Sequence, residues 1–299
     1  MQYVVPARIT QLQTIDSGEI RRVQLALPEH IEIGPISYRI KDTMRPGTAF
    51  LAKPWGTRTD KYRRRMYSRT NTAFNEPGLL ETFINHTHQE QADTSVWWQS
   101  KMAKEWYEIG KTVDVLVSLD ASQRTAMVYE NTNVCKPTNL RLEENGNWET
   151  MRVVCVAFGT GVTPFLSYVR YMASQKFGEK GGEGGVHMTL VVSVRHSGQL
   201  MLHQELLALE QQFRRHFRYQ PLLTRSWPKD WTYLKGRIMW AEVMPSGEER
   251  VNLTPLLGIV PNLSESHLRI CGNVFACDQL TKGLREWEIH PLSVRSESW

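Results

Sequence analysis

Residues 155–168 read CVAFGTGVTPFLSY, and this stretch decides the fold of the second half of the chain. It begins as a β-branched run, places Thr160 between two glycines, and then puts Pro164 ahead of an amphipathic segment. A buried strand, a tight turn and a helix follow in that order, so the turn lets the backbone approach a ligand. Free N–H groups at the helix start favour a phosphate. GTGVTP is not the full GxGxxG pattern, so a plain strand-to-helix turn remains the alternative to a dinucleotide site.

Strands and helices alternate from Met151 onward, which predicts a parallel α/β sheet. The predicted strands are RVVCVAF (152–158), MTLVVSV (188–194) and HLRICG (267–272). The predicted helices are TPFLSYVRYMASQKF (163–177), LMLHQELLALEQQF (200–213) and FACDQLTKGLREW (275–287). An apolar stripe at helical spacing predicts the core face of the second helix: Leu202, Leu206, Leu209, Phe213 and Phe217.

The first half of the chain has a different hydrophobic pattern. From Tyr3 to about Leu142, short alternating runs such as VVPARI, RRVQLAL and KTVDVLVSL are separated by Gly, Pro, Asp and Asn. This pattern predicts antiparallel β-structure in a barrel or sandwich. The polar stretch LEENGNWET at 142–150 is a suitable boundary, so we expect two domains, 1–148 and 149–299.

The composition is that of an ordinary globular protein, with 41% apolar and 22% charged residues in 299. No signal peptide or apolar run of about 20 residues is present, so we expect a soluble, cytoplasmic protein without a membrane span. The cysteines at 135, 155, 271 and 277 have no metal-ligand spacing, which predicts free thiols. The net charge of +5 suits an acidic partner or nucleic acid and does not choose between them.

Four motifs occur in an informative order: RMYSRTN at 65–71, GTGVTPF at 159–165, LLTR at 222–225 and ICGN at 270–273. In this order they resemble the flavin and pyridine-nucleotide motifs of the ferredoxin-NADP reductase family. VRHSGQL at 194–200, KGRI at 235–238 and the terminal Trp299 make the bacterial type the most similar. The resemblance covers the whole chain. It implies an antiparallel FAD-binding β-barrel followed by an NADP-binding α/β domain with a parallel sheet.

The first motif predicts the flavin contacts. Arg65 and Tyr67 share one face of a strand, so a cation and a ring can meet one ligand. By resemblance, Arg65 pairs the FAD pyrophosphate, Tyr67 packs against the isoalloxazine, and Ser68 bonds near the flavin N5. The alternative is a solvent-exposed basic surface along KYRRRMYSR.

A second flavin motif is implied at WWQSKMA, where Ser100 takes the serine position near the pyrophosphate. Trp97 stands where the family has glycine, and Ala103 where it has leucine. Because of these two replacements, the backbone geometry of this turn is expected to differ from that of the family. In the preceding loop, His86, His88 and Glu90 are interpreted as solvated side chains, so no metal site is expected.

The second domain is expected to prefer NADPH, because arginines grip a 2′-phosphate whereas a carboxylate holds a free ribose hydroxyl. By resemblance, the 2′-phosphate residues are Arg195, Thr224, Arg225 and Arg237, and the pyrophosphate turn is Gly159, Thr160, Gly161 and Pro164. The insertion SWPKDWTYLK at 226–235 lengthens the loop between Arg225 and Arg237.

Three further residues are implied at the nicotinamide. Cys271 begins the turn after HLRI, with Gly272 beside it, and the family carries a cysteine there that contacts the reacting carbon. A small buried residue is the alternative, because free cysteine is commonly buried. By resemblance, Trp299 lies over the flavin face that the nicotinamide must occupy. A frayed apolar end is the alternative for that residue.

The resemblance implies a flavoenzyme that takes hydride from NADPH to FAD and passes single electrons to an acidic carrier, ferredoxin or flavodoxin. No nucleic-acid partner is expected. A reductase component of an oxygenase is one alternative. A flavin-free nucleotide-binding module is the other, and the altered WWQSKMA turn is the feature that favours it.

Overall fold

The structure is a computed structural model that describes residues 2–15, 20–43, 45–53, 65–85, 109–120, 125–128, 134, 151–179 and 185–298. It divides into two compact units. The first is Met1–Thr132 with Leu166–Tyr171, and the second is Asn133–Phe165 with Met172–Trp299. The predicted boundary at 148/149 lies outside the described residues and stays a prediction.

The described part of the first unit forms nine strands. They are β1 (Gln2–Thr14), β2 (Ile20–Ala26), β3 (His30–Ile33), β4 (Ile36–Lys41), β5 (Ala49–Lys53), β6 (Arg65–Ser68), β7 (Leu79–Asn85), β8 (Thr112–Asp120) and β9 (Thr125–Val128). Their order is β3-β4-β9-β8-β1-β2-β7, with β5 paired to both β8 and β6. The pairings are antiparallel apart from β4 with β9. The predicted antiparallel barrel is confirmed.

The alternation in sequence sets the core of this sheet. Along β1, Val5, Ala7 and Ile9 are buried, whereas Val4 is 52% exposed. Successive side chains of a strand point to opposite faces, so every second residue reaches the core. Phe50 of β5 packs in the same core.

The second unit contains eight strands and three complete α-helices among its described residues, together with the two ends of a fourth helix whose residues Leu166–Tyr171 belong to the first unit. The strands are β10 (Met151–Phe158), β11 (Val186–Val194), β12 (Phe217–Leu223), β13 (Leu234–Lys235), β14 (Trp240–Val243), β15 (Glu249–Asn252), β16 (His267–Gly272) and β17 (Ser293–Ser298). The helices are α1 (Thr163–Ser174), α2 (His203–Gln212), α3 (Thr254–Ile259) and α4 (Val274–Glu286). The predicted α/β domain with a parallel sheet is confirmed.

Six of these strands form a parallel sheet in the order β13-β12-β11-β10-β16-β17, and β14 pairs with β15 separately. After β10 the chain adds β11, β12 and β13 on one side, and later adds β16 and β17 on the other. The direction of winding therefore reverses between β10 and β16. In sheets of this kind, ligands bind at the carboxyl ends of the strands beside that reversal.

Helix α2 is shorter than the apolar stripe predicts. It ends at Gln212, and the carbonyl oxygen of Phe213 accepts N–H bonds from His216 and Phe217, both at 2.8 Å. Phe217 is the first residue of β12, so its assignment to the helix face is wrong. The helical spacing continues by coincidence across a turn, because Phe217 is buried as a strand residue.

Candidate functional site

The turn between β10 and α1 carries four predicted pyrophosphate residues, Gly159, Thr160, Gly161 and Pro164. A 3₁₀ turn spans Gly159–Val162, and the Thr163 hydroxyl donates to the Thr160 carbonyl oxygen at 2.9 Å. Pro164 lies in the first turn of α1, where a missing N–H is tolerated. Gly159 has a φ of +59°, and a Cβ there would meet no atom of the described residues within 4 Å. The space beside this turn is therefore open to a ligand.

Gly161 and Gly272 are required by a close approach of two backbone segments. A Cβ on Gly161 would lie 2.1 Å from the carbonyl oxygen of Cys271. A Cβ on Gly272, whose φ is +139°, would lie 2.4 Å from the carbonyl oxygen of Phe158. The turns after β10 and β16 thus pack directly on each other where the winding reverses, and only glycine fits at these contacts.

The three predicted 2′-phosphate arginines lie at the edge of the parallel sheet formed by the carboxyl ends of its strands. Arg195 follows β11, Arg225 follows β12, and Arg237 follows β13. The N–H of Arg225 donates to the carbonyl oxygen of Arg195 at 3.0 Å, and the N–H of Thr224 donates to that of Val194 at 2.8 Å. The backbone therefore holds Arg195, Thr224 and Arg225 side by side.

Arg237 is joined to the same edge through its neighbours. The N–H of Gly236 donates to the carbonyl oxygen of Leu223 at 2.9 Å, and Ile238 is buried in the core. The side chains of Arg195, Arg225 and Arg237 are exposed. Among the described residues, none of the three guanidinium groups has a carboxylate partner. Exposed cations at the carboxyl ends of neighbouring strands have the charge that a doubly charged phosphate requires, and the assignment of the three arginines to the 2′-phosphate stays a prediction.

The predicted flavin strand, β6, pairs with β5 so that Ser68 lies opposite Ala49 and Tyr67 opposite Phe50. The Thr82 hydroxyl donates to the Ser68 carbonyl oxygen at 2.8 Å, and the Ser68 side chain is half-buried. Tyr67 is 6% exposed, with its ring 5.7 Å from that of Phe50. Ser68 is therefore available to a ligand, whereas the Tyr67 ring packs largely into the barrel core.

Arg69, directly after this strand, is a buried residue that the sequence analysis missed. Its side chain is fully buried, and it donates to Asp42 at 2.7 Å and to the Asn71 side chain at 2.9 Å. It also donates to the Leu79 carbonyl oxygen at 2.7 Å. The run KYRRRMYSR gives no signal for this burial, because the charged partner of Arg69, Asp42, comes from a distant segment.

Glu81 of β7 is a second buried charge in the first unit. Its carboxylate accepts from Arg170 at 2.6 Å and from Thr70 at 2.7 Å, and it also pairs with Arg22. Burial alone would raise the pKa of Glu81, but Arg170, Gln24, Thr70 and Arg22 together lower it to about 2. Glu81 is therefore a buried carboxylate that stays ionised and ties the segment after β6 to β2 and β7.

Comparison with known proteins agrees with this architecture. Residues 155–278 match the family described as the oxidoreductase NAD-binding domain. The chain has the fold of the ferredoxin-NADP reductase family. The fold that the four motifs imply by this resemblance is thereby confirmed, while the bacterial type stays a prediction.

Several solved structures share this ferredoxin-NADP reductase fold. The Amycolatopsis cytochrome P450 reductase is 17% identical, with a TM-score of 0.66 over 99% of this chain and 70% of that one. The Neisseria gonorrhoeae ferredoxin NADP+ reductase with bound FAD and NADP is 19% identical, with a TM-score of 0.60 over 99% and 98%. The flavohaem-like FAD/NAD-binding domain of Vibrio cholerae nitric oxide dioxygenase is 13% identical, with a TM-score of 0.62 over 99% and 98%. No curated protein matches the sequence significantly.

The described residues fit the two cofactors of the ferredoxin-NADP reductase family to different extents. The open space beside Gly159 and the three exposed guanidinium groups, which have no carboxylate partner in the described part of the chain, fit a phosphorylated dinucleotide. The half-buried Ser68 fits a flavin contact, but Tyr67 offers it only a small exposed area. Cys271 is fully buried, so its contact with nicotinamide stays a prediction that this burial does not support.

The described ranges include no helix that is long and apolar enough to cross a membrane, and no metal-binding group of three His, Cys, Asp or Glu residues. The thiols of Cys155, Cys271 and Cys277 are buried. The predicted residues or side chains outside the described structure are Arg65 (side chain), His86, His88, Glu90, Trp97, Ser100, Ala103, Cys135 and Trp299.

Proposed function

We propose that this chain is an FAD-dependent reductase that takes hydride from NADPH and passes electrons singly to an acidic carrier, ferredoxin or flavodoxin. The observation that carries the proposal is the group of three exposed, partnerless arginines at one edge of the parallel sheet. In the proposal, residues 1–148 bind FAD and residues 149–299 bind NADPH. The likeness in fold to reductases of this kind supports the two cofactors.

The second unit holds the nucleotide in two places. The turn of Gly159, Thr160, Gly161 and Pro164 accommodates the pyrophosphate, because its backbone is open on the Gly159 side. Arg195, Thr224, Arg225 and Arg237 bind the 2′-phosphate. Charge-assisted hydrogen bonds from guanidinium groups select NADPH over NADH, which has no phosphate there.

The first unit orients the flavin. Arg65 and Ser100 bind the pyrophosphate of FAD, Tyr67 contacts the isoalloxazine, and Ser68 donates near N5. Bound FAD accepts the two electrons of a hydride and can release them one at a time. Two interactions fix the backbone of Ser68: the Thr82 hydroxyl donates to its carbonyl oxygen, and Ser68 pairs with Ala49 of β5. Alignment of this kind is what the protein contributes to hydride transfer.

At the nicotinamide, Gly272 lets the backbone turn closely beside the glycine turn after β10. Cys271 is assigned to the reacting carbon, and its burial requires the side chain to be uncovered when the nucleotide binds. Trp299 covers the flavin face until the nicotinamide displaces it. Each of these roles comes from the resemblance to the ferredoxin-NADP reductase family.

The acceptor is assigned from the resemblance to the ferredoxin-NADP reductase family, and the charge of the chain is compatible with it. The net charge of +5 favours an acidic protein through electrostatic steering. A reductase component of an oxygenase is the second candidate, and the similarity to the Amycolatopsis cytochrome P450 reductase favours it. Steady-state reduction of ferredoxin, flavodoxin and a cytochrome P450 by the same preparation separates the two.

Identification of the cofactor tests the proposal. The protein is reconstituted with an equal mixture of FAD and FMN, washed, and heated to release the bound flavin for chromatography. We expect FAD, because Arg65 and Ser100 are assigned to a pyrophosphate that FMN lacks. Recovery of FMN would overturn the assignment of these residues, and folded protein without flavin would favour the nucleotide-binding module.

A further inference from the structure

The loop between β12 and β13 contains the insertion that lengthens the path from Arg225 to Arg237. Residues 226–230 of this loop are all exposed. Trp231, in contrast, is 9% exposed. Trp231 is therefore a buried anchor of this loop, and it lies between the two arginines in sequence.

Trp231 belongs to an aromatic cluster that consists of four side chains: His203, Tyr219, Trp231 and Tyr233. Its ring centroid lies 5.8 Å from that of His203 and 4.9 Å from that of Tyr233. His203 also lies 5.6 Å from Tyr219, with a hydrogen-bond distance of 3.2 Å between its Nδ1 and the tyrosine hydroxyl. The aromatic cluster thus joins the loop to the start of α2 and to β12.

The same tryptophan contacts the backbone of β13 directly. Its indole Nε1–H donates to the carbonyl oxygen of Leu234 at 3.0 Å. Leu234 is one of only two residues in β13 and pairs with Leu222 of β12. A pairing of two residues is weak on its own, so the indole bond is a substantial part of what holds this strand in place.

The position of β13 decides where Arg237 lies. Lys235 pairs with Leu223, and the Gly236 N–H donates to the Leu223 carbonyl oxygen. Arg237 follows at once, with its guanidinium exposed on the edge that carries Arg225. If β13 separated from β12, Arg237 would be carried away from that edge on a loop of more than ten residues.

We propose that Trp231 is a positioning residue for Arg237 and thereby determines part of the selectivity for a 2′-phosphate. The inference rests on the proposed function, because it assigns Arg237 to the 2′-phosphate of NADPH. Ordering a long loop costs conformational entropy. The buried Trp231 orders this loop before the ligand binds, so binding itself loses less entropy. The arginine is then preorganised for the phosphate.

Binding of two nucleotide fragments tests this role. The FAD-loaded full chain is titrated calorimetrically with 2′,5′-ADP and with 5′-AMP, which differ by the 2′-phosphate. We expect Trp231→Ala to weaken 2′,5′-ADP binding about tenfold, as loss of a charge-assisted bond predicts, and to leave 5′-AMP binding unchanged. Arg237→Ala should give a similar loss, and the double variant should lose no more than Arg237→Ala alone.

Two further variants separate positioning from general damage. Trp231→Phe keeps a ring in the aromatic cluster but removes the bond to Leu234, so it should show the same selective loss at a smaller size. Trp240→Ala, which removes an indole that is 41% exposed on β14, should change neither titration.

The outcomes distinguish this inference from the proposed function. If the wild-type protein binds both fragments equally, the NADPH preference is wrong and the inference fails with it. If the wild-type preference survives in Trp231→Ala, or both fragments weaken equally in that variant, the inference alone is overturned.

Discussion

The backbone N–H of Arg225 donates to the carbonyl oxygen of Arg195 across 3.0 Å, which ties the residues that follow β12 and β11 to each other. Neighbouring parallel strands end at the same edge of a sheet, so residues 30 positions apart in sequence become neighbours in space. Both side chains are exposed and without a carboxylate partner in the described part of the chain. This pair is the structural basis for the proposed choice of NADPH.

Replacing Arg225 should affect one nucleotide selectively. Arg225→Ala removes a charge-assisted bond to the 2′-phosphate, so we expect KM for NADPH to rise. The increase should correspond to a loss of about 1.5 to 3 kcal/mol in binding free energy. KM for NADH should stay nearly unchanged. Arg214→Ala is the matched control, because Arg214 is an exposed arginine that follows α2, ahead of β12. Equal losses with both nucleotides would show that Arg225 has only a structural role.

A methyl group at Gly161 should destabilise the second unit. It would lie 2.1 Å from the Cys271 carbonyl oxygen, so one of two packed backbone turns must move. We expect Gly161→Ala to lower the free energy of unfolding by about 2 to 4 kcal/mol, measured by urea denaturation. Gly258→Ala, in α3 with no atom within 4 Å of the added Cβ, should be neutral or stabilising. Similar values for the two variants would contradict the close approach.

The ionised Glu81 predicts a dependence of stability on pH. Its pKa falls from 4.5 to about 2 in the folded protein, so the carboxylate stabilises the fold above about pH 4.5. That contribution, about 3 kcal/mol for a shift of this size, is lost progressively as pH falls from 4.5 toward 2. Unfolding free energies of the wild type and Glu81→Gln should therefore converge as the pH is lowered.

Glu29→Gln serves as the control for this titration, because the Glu29 side chain is 71% exposed and its nearest cation, on Arg39, is 3.9 Å away. Its unfolding free energy should follow the wild type at every pH. A constant difference between wild type and Glu81→Gln from pH 6 to pH 3 would mean that Glu81 is not held ionised by its arginines.

The second unit was largely predictable because its signals are local. The β-branched run before Gly159, the glycine turn and the proline at the start of α1 occupy consecutive positions, and the structure has a strand, a turn and a helix there. The end of α2 was not predictable from spacing. Phe217 continues the helical period although a turn at Phe213–His216 intervenes. Its apolar side chain is buried as part of a strand instead, so the spacing alone cannot distinguish the two structures.

The buried charges of the first unit could not be predicted for a different reason. Arg69 and Glu81 are buried because their charged partners come from segments 27 to 89 positions away in sequence, such as Asp42 and Arg170. A charged residue is assigned to the surface by default, since burial without a partner is costly. The pairing itself depends on the strand order, which no local pattern of the sequence contains.

Anaerobic reduction of the FAD-reconstituted protein tests the central claim most directly. The visible absorption of the bound flavin is followed in a stopped-flow instrument after mixing with NADPH or with NADH. The account predicts rapid bleaching by NADPH at concentrations where NADH acts more slowly. Bound flavin that neither nucleotide reduces, or that NADH reduces as readily as NADPH, would contradict it.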